Sequence, residues 1–302
     1  MKNSSTWMFV LGLAALTAAS NAQFETRVVA KGLNRPTGLT VMGYGTFTSL
    51  VYSQVPTPGV SGAAGGTNGI FKLDLWNNRK WTINMGEPEP LNLTATSDGS
   101  IYWTCRSAGV ILKRNKAGMI APLLTGLAKP TGITALANGD IAFTQVPTPG
   151  VNGGNGGMNT VDLFTGGSVM NLTMGEPEPT DIVASRSGDL YWTCKSAGVI
   201  LHRNPAGMVE VVLRGLNKPT GIAINKSGST IYFTEVPTPG FSSRMGGGNF
   251  VWEYNLARGT RTIVSYGDSE PTDVAVTLDG RIFWTNSASG EILEARRTPF
   301  GI

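Results

Sequence analysis

The chain has 302 residues, 41% of them apolar, with 40 glycines, 17 prolines and only 15% charged residues. That is ample for a large core, and a glycine-rich chain with many short β-forming runs favours an all-β protein. Without Lys2, which belongs to the leader described next, the charge is 23 − 20 = +3, and the basic residues are scattered. A nucleic-acid binder would carry a clustered stripe, so that class is excluded as an expectation.

Residues 1–22 read as a secretory signal: Lys2 is the positive start, Trp7 to Ala19 the apolar core, and Ser20-Asn21-Ala22 the small-residue cleavage site. The mature chain then begins near Gln23 and is expected outside the cell. The apolar run is short for a bilayer, and no later stretch approaches the ~20 apolar residues a spanning helix needs, so no membrane contact is expected after cleavage. A monomer with an extracellular ligand is the expected state.

The stretch Val55-Pro56-Thr57-Pro58-Gly59 returns as Val146 to Gly150 and Val236 to Gly240, at steps of 91 and 90 residues. Two prolines fix φ and remove backbone donors, so the preceding strand must stop there. A glycine-rich run follows each copy (Val60 to Gly69, Val151 to Gly157, Phe241 to Gly248). These runs lack the strand-to-helix context of a phosphate cradle and read as flexible recognition loops or linkers.

Two similar units lie between successive copies. One ends at Gly86-Glu87-Pro88-Glu89-Pro90, repeated at Gly175 to Pro179 and, altered, at Gly267 to Pro271. The other ends at Gly32 to Pro36, Gly126 to Pro130 and Gly215 to Pro219. Three doublets of ~45-residue units make six, the size of a four-stranded propeller blade. The expected blades are 36–88, 90–128, 130–177, 179–217, 219–269 and 271–297, the last completed by 24–33. Phe24 to Leu33 matches Gly207 to Leu216, an outer strand, so the N-terminal strand should close the ring and remove the exposed edges. In each unit's second strand stands one aromatic (Tyr52, Trp103, Phe143, Trp192, Phe233, Trp284) followed by a hydroxyl residue (Ser53, Thr104, Thr144, Thr193, Thr234, Thr285). One aromatic per blade at one position reads as the inter-blade packing layer.

The runs Ile231 to Gly240 and Gly175 to Thr180 with Tyr191 to Gly198 resemble secreted NHL-type six-bladed propellers, nearest to the ScyD/ScyE group. The likeness covers Phe24 to Arg297 and implies the fold and an exported location more than a reaction. A looser resemblance extends to virginiamycin B lyase, strictosidine synthase and the calcium-dependent lactonases, which share the architecture.

In such a ring the Pro-Thr-Pro-Gly loops and the inter-blade junctions meet at one mouth of the channel, where loops on a rigid scaffold usually carry function. Before each junction proline stand Arg35, Glu89, Lys129, Glu178, Lys218 and Glu270, alternating in sign: an inter-blade ion-pair belt, or a charged collar for a polar or anionic ligand. At the start of the inner strands stand Gly38, Asn92, Gly132, Asp181, Gly221 and Asp273. The three oxygen side chains could converge on one Ca²⁺ or bond neighbouring backbone; the resembling enzymes hold calcium in a similar place with Asn, Asp and Glu. A second tier comprises Gln54, Cys105, Gln145, Cys194, Glu235 and Asn286, with Glu235 the one catalytic candidate. A third of a turn separates the cysteines, so two free, partly buried thiols are expected. His202, the sole histidine, replaces Lys113 of the previous repeat and reads as a solvated surface position; the lyase resemblance would need a catalytic histidine.

The leading expectation is therefore a secreted binding or interaction module for a glycan, protein or small metabolite. The alternative is a metal-dependent lactonase-, hydrolase- or lyase-like enzyme using Asn92, Asp181, Asp273 and Glu235. A structural extracellular-matrix protein is the third reading.

Overall fold

The computed structural model describes residues 23–43, 45–56, 58–59, 67–150, 158–237, 239 and 248–298. Residues 1–22, expected to be a leader, and the glycine-rich runs at 60–66, 151–157 and 240–247 lie outside the described residues. Six four-stranded antiparallel sheets form a propeller, with one short 3-10 turn at Gly45–Phe47. Five blades take their strands in chain order. The sixth combines three C-terminal strands with Phe24–Ala30, which pairs antiparallel with Glu291–Arg297 from Phe24↔Arg297 to Ala30↔Ile292. The ring is thus closed by the two ends of the chain, as the repeat arithmetic requires.

The inner strands are Pro36–Met42, Pro90–Ala95, Pro130–Ala135, Pro179–Ala184, Pro219–Ile224 and Pro271–Val276. The aromatics of the second strands, Tyr52, Trp103, Phe143, Trp192, Phe233 and Trp284, are buried between neighbouring sheets and form the packing layer. Truncating one such side chain typically costs about 3–5 kcal/mol.

Around the axis the inner strands approach too closely for a side chain on every one. A Cβ on Gly38 would lie 2.2 Å from the carbonyl oxygen of Leu91. On Gly132 it would lie 2.6 Å from Cα of Asp181, and on Gly221 2.5 Å from Cα of Asp273. Each glycine thus presses on the backbone beside Asn92, Asp181 or Asp273 of the next blade, so the alternation of glycine and Asx is a packing rule.

The hydroxyls after the aromatics stitch blade to blade. The register of each inner strand with its second strand shifts just after the junction proline, which leaves an inner-strand N–H without a backbone partner. That donor goes to the hydroxyl: Gly38 N–H to Ser53 Oγ (2.8 Å), Gly132 to Thr144 Oγ1 (2.8 Å), Gly221 to Thr234 Oγ1 (2.9 Å), and Asp181 to Thr193 Oγ1 (3.2 Å). Several of these hydroxyls then donate to the next blade: Ser53 to the Leu91 carbonyl (2.9 Å), Thr104 to Thr131 (2.7 Å), Thr193 to Thr220 (2.6 Å), Thr285 to Thr37 (2.9 Å). All six are fully buried, and losing one would strand a backbone donor at about 1–3 kcal/mol.

Gly132→Ala should lower the free energy of unfolding by about 3 kcal/mol, because backbone atoms rather than a flexible side chain must give way. Urea denaturation checks this; a loss under ~0.5 kcal/mol would mean the inner strands have room to part.

Candidate functional site at the channel mouth

All six collar residues adopt left-handed backbone: φ is 50° at Arg35, 57° at Glu89, 53° at Lys129, 57° at Glu178, 52° at Lys218 and 61° at Glu270. This strained conformation, worth of order 1–3 kcal/mol each, aims their carbonyls at the first N–H past the second strand of the same blade. Val55 donates to Arg35 (3.0 Å), Arg106 to Glu89 (3.0 Å), Val146 to Lys129 (3.1 Å), Lys195 to Glu178 (3.0 Å), Val236 to Lys218 (3.2 Å) and Ser287 to Glu270 (3.0 Å). The ion pairs are likewise formed within a blade: Arg106 with Glu89 at 3.3 Å and Lys195 with Glu178 at 3.8 Å. Ser196 Oγ also donates to Glu178 at 2.5 Å. Lys129 and Lys218 point their ammonium groups to the carbonyls of Pro147 and Pro237, the feet of two long loops (3.4 and 3.5 Å). Glu178 also accepts the N–H of Gly150, in the long loop of the preceding blade, at 3.1 Å. The two ion pairs themselves stay within their blades, while this bond joins one blade's loop to the next blade's collar.

The second tier is bonded inward. Gln54, Gln145 and Glu235 accept the junction N–H groups of Asn34 (2.5 Å), Ala128 (2.6 Å) and Asn217 (2.6 Å). Glu235, the catalytic candidate, spends its other oxygen on the indole N–H of Trp252 at 2.6 Å. In the other three blades the partner is a buried acid that the sequence reading passed over. Glu87 Oε2 accepts Trp103 Nε1 (3.0 Å) and Cys105 Sγ (3.2 Å); Glu176 Oε2 accepts Trp192 Nε1 (3.1 Å) and Cys194 Sγ (3.7 Å). Asp268 Oδ1 accepts Trp284 Nε1 (2.9 Å) and Asn286 Nδ2 (3.2 Å). Both cysteines are free and buried. Burial and the adjacent carboxylate push their thiols far up, so they remain protonated donors rather than nucleophiles.

The feet of the long loops hold a second overlooked set, Asn68, Asn159 and Asn249, fully buried and spaced at the repeat period. Asn159 accepts the N–H and hydroxyl of Thr148 (3.0 and 2.9 Å) and donates to the Thr148 and Glu176 carbonyls (both 3.0 Å). It ties the Pro-Thr-Pro-Gly segment to the junction. The signal was available: each of these asparagines ends a glycine-rich run at a step of 91 or 90 residues.

At the axis Asn92, Asp181 and Asp273 do converge. Asn92 Nδ2 donates to Asp181 Oδ1 at 2.5 Å. Asp181 Oδ1 also accepts its neighbour Ile182 N–H (2.7 Å), and Oδ2 accepts Ile222 N–H of the next blade (2.8 Å). Asp273 accepts Val274 N–H (2.7 Å) and, across the chain closure, Leu39 N–H (2.6 Å). Asp273 and Asp181 also bond each other, carboxyl to carboxylate. Burial raises both groups, Asp181 to about 7, and the charge of Asp181 pushes Asp273 well up, so Asp181 ionises first and Asp273 keeps the last proton of the pair. A cavity of about 160 Å³ runs along the inner strands beside this ring, lined by Leu39, Ile133, Ile182, Ile222 and Val274 among others.

Calcium needs six to eight oxygens. The ring offers two carboxylates and one carboxamide whose oxygens already accept N–H groups. No group of three or more His, Cys, Asp or Glu side chains among the described residues is placed to hold a metal. The donor set does not fit Ca²⁺.

His202 lies away from the channel and is not solvated as the sequence implied. Its ring stacks on Tyr191 (centroids 4.6 Å apart), with Nε2 2.9 Å from Asp189 and Nδ1 3.0 Å from Glu210. The Lys113 ammonium lies over Tyr102 in the same way (5.2 Å), which explains the exchange of Lys for His.

No family model matches the chain. Low-density lipoprotein receptor-related protein 1 from Pyricularia oryzae is 25% identical over 293 residues, covering 83% of this chain and 88% of that one. Virginiamycin B lyase from Staphylococcus aureus superposes with a TM-score of 0.59 at 19% identity, covering 92% and 89% of the two chains. The calcium-binding protein regucalcin from Agrobacterium tumefaciens gives 0.67 at 15% identity over 91% and 94%. A putative gluconolactonase gives 0.66 at 12% identity over 92% and 93%. These likenesses show the six-bladed fold.

The proton of the Asp pair makes stability pH-dependent with a definite sign. The folded pair keeps protons that the unfolded chain releases near pH 4, so stability falls as pH rises above about 4 and is still falling at about 7, because Asp273, raised further by the charge of Asp181, ionises last. The slope reaches up to ~1.4 kcal/mol per pH unit for one proton. Asp273→Asn should flatten it, whatever its effect on the absolute Tm; urea denaturation at a series of pH values checks this. An unchanged slope would mean that the pair does not share a proton.

Proposed function

We propose that the protein is an exported binding module that takes its ligand at the face where the long loops rise. The observation that carries this reading is a threefold apolar rim. Met85, Met174 and Tyr266 end the outer strands of the three long-loop blades and are 46%, 70% and 75% exposed. Single exposed apolar residues are ordinary, but these three occupy one position of the repeat, each directly before the junction glycine.

Their separation speaks to the ligand. Three strand spacings put each outer strand roughly 14 Å beyond its inner strand, so groups at three blades lie too far apart for a small metabolite to bridge. A macromolecular ligand, a polypeptide or a glycan chain, fits the rim. Export rests on the leader sequence, and the closer likeness to ScyD/ScyE propellers rests on the Pro-Thr-Pro-Gly and Gly-Glu-Pro-Glu-Pro motifs.

The enzyme reading draws on the names of the lyase and gluconolactonase neighbours. It asks for a base or a metal at the mouth, whereas Glu235, Asn92, Asp181 and Asp273 are each engaged in bonds within the protein.

The purified protein is to be applied to a glycan array and to arrayed extracellular proteins, then compared with the Met85→Asp/Met174→Asp/Tyr266→Asp variant. The reading expects at least a tenfold loss of capture at unchanged Tm. Capture that survives the triple substitution would place recognition elsewhere.

A further inference from the structure

A second cavity lies on the flank of the ring, between the first and second blades and away from the long-loop face. Its volume is about 360 Å³, within the range of small-molecule sites. Met42, Ile83 and Ile101 form an apolar floor, Trp81 a wall, and Lys72 and Arg114 stand at the polar edge. Trp81 is 41% exposed yet held in place: its indole N–H donates to Asp74 at 2.9 Å, and the Arg79 guanidinium lies 3.6 Å from its ring centroid. A large aromatic kept rigid beside a cavity offers contact area with little ordering cost.

The internal repeat shows what is particular to this place. The cross-strand pair Lys72↔Trp81 corresponds to Leu163↔Met170 in the third blade and Glu253↔Thr262 in the fifth. In the third blade Leu163 packs into the core cluster of Ile182 and Leu190. In the first blade the equivalent side chain turns its ammonium to Asp74 at 2.9 Å, and the apolar space over Ile101 is left open. The charges around it do not balance. Lys72 and Arg114 line it with no carboxylate among the lining residues, and the nearby Asp74 is paired with Lys72; burial pushes the Asp74 carboxyl up, but its hydrogen bonds and Lys72 outweigh that and hold it ionised, with a pKa of about 2. Among the described residues Arg114 has no carboxylate within ion-pair distance; its guanidinium rests beside Gly118, where an added Cβ would lie 3.3 Å from it.

We infer that this crevice binds a small amphipathic anion, a carboxylate with an apolar tail. The tail lies on Met42, Ile83 and Ile101 against the Trp81 ring, and the carboxylate faces Arg114 and Lys72. Arg114 suits the role because its planar fork matches a carboxylate.

Titration calorimetry at pH 7 with octanoate, 1-octanol and octylamine tests it, each kept below its aggregation limit. Octanoate should bind one saturable site, octanol at least tenfold more weakly, and octylamine not at all. Arg114→Met should weaken octanoate at least tenfold, Ile83→Trp should abolish binding by filling the cavity, and Arg203→Met, the same position two blades on, should change nothing. Near-ultraviolet circular dichroism establishes that each variant is folded. Absence of a saturable site for octanoate, equal affinity for octanoate and octanol, or binding untouched by both Arg114→Met and Ile83→Trp overturns the inference.

Discussion

Six strands can crowd round one axis only if some of them give up their side chains, and the molecule is arranged about that constraint. Gly38, Gly132 and Gly221 let the neighbouring backbone approach, and Asn92, Asp181 and Asp273 occupy the positions pressed against them. The two aspartates then reach forward to Ile222 and Leu39, N–H groups of the following blades. The bond from Asp273 to Leu39 spans the sixth and first blades, so the axis is closed by the same step that the terminal strands close at the perimeter. Polarity at the axis therefore serves cohesion: the oxygens of the residues that look like a metal site in the sequence already accept N–H groups.

The same economy extends outward. A hydroxyl in each second strand takes the N–H released by the register shift and, in most blades, passes its own proton to the neighbour. The collar residues accept left-handed strain so that their carbonyls can hold the loops. Glu87, Glu176 and Asp268 give buried tryptophans a partner for the indole N–H, and two thiols and one amide complete the same three sites. Almost every polar group that the repeat brings near the mouth is thereby used to join blade to blade or strand to loop. What remains for the recognition proposed above is the outer rim.

Much of this was legible from the residues. Repeat spacing gave the blade count and the closing strand, because breakers and junctions recur at a period that only the fold explains. The aromatic position gave the packing layer for the same reason. Side-chain roles at the mouth were harder to read, because type and position do not say which way a polar group is bonded. Gln54, Gln145 and Glu235 look like pocket residues until their oxygens are seen on the junction N–H groups. Glu87 stands between glycine and proline and looks like a loop residue, yet it is buried under a tryptophan. The flank cavity had no signature in any one motif. It comes from Lys72 and Trp81 departing from Leu163 and Met170, a difference between repeats rather than a likeness.

The central claim is that the ring is locked at its axis by hydrogen bonds from one blade to the next. Native-state amide hydrogen exchange reads this directly. The Leu39 and Ile222 amides, bonded to Asp273 and Asp181, should exchange only by global unfolding, and more slowly than the amides of the outer strands Arg79–Met85 and Ser168–Met174. Exchange of Leu39 and Ile222 as fast as in those outer strands would show that the axis opens locally, and would contradict the account.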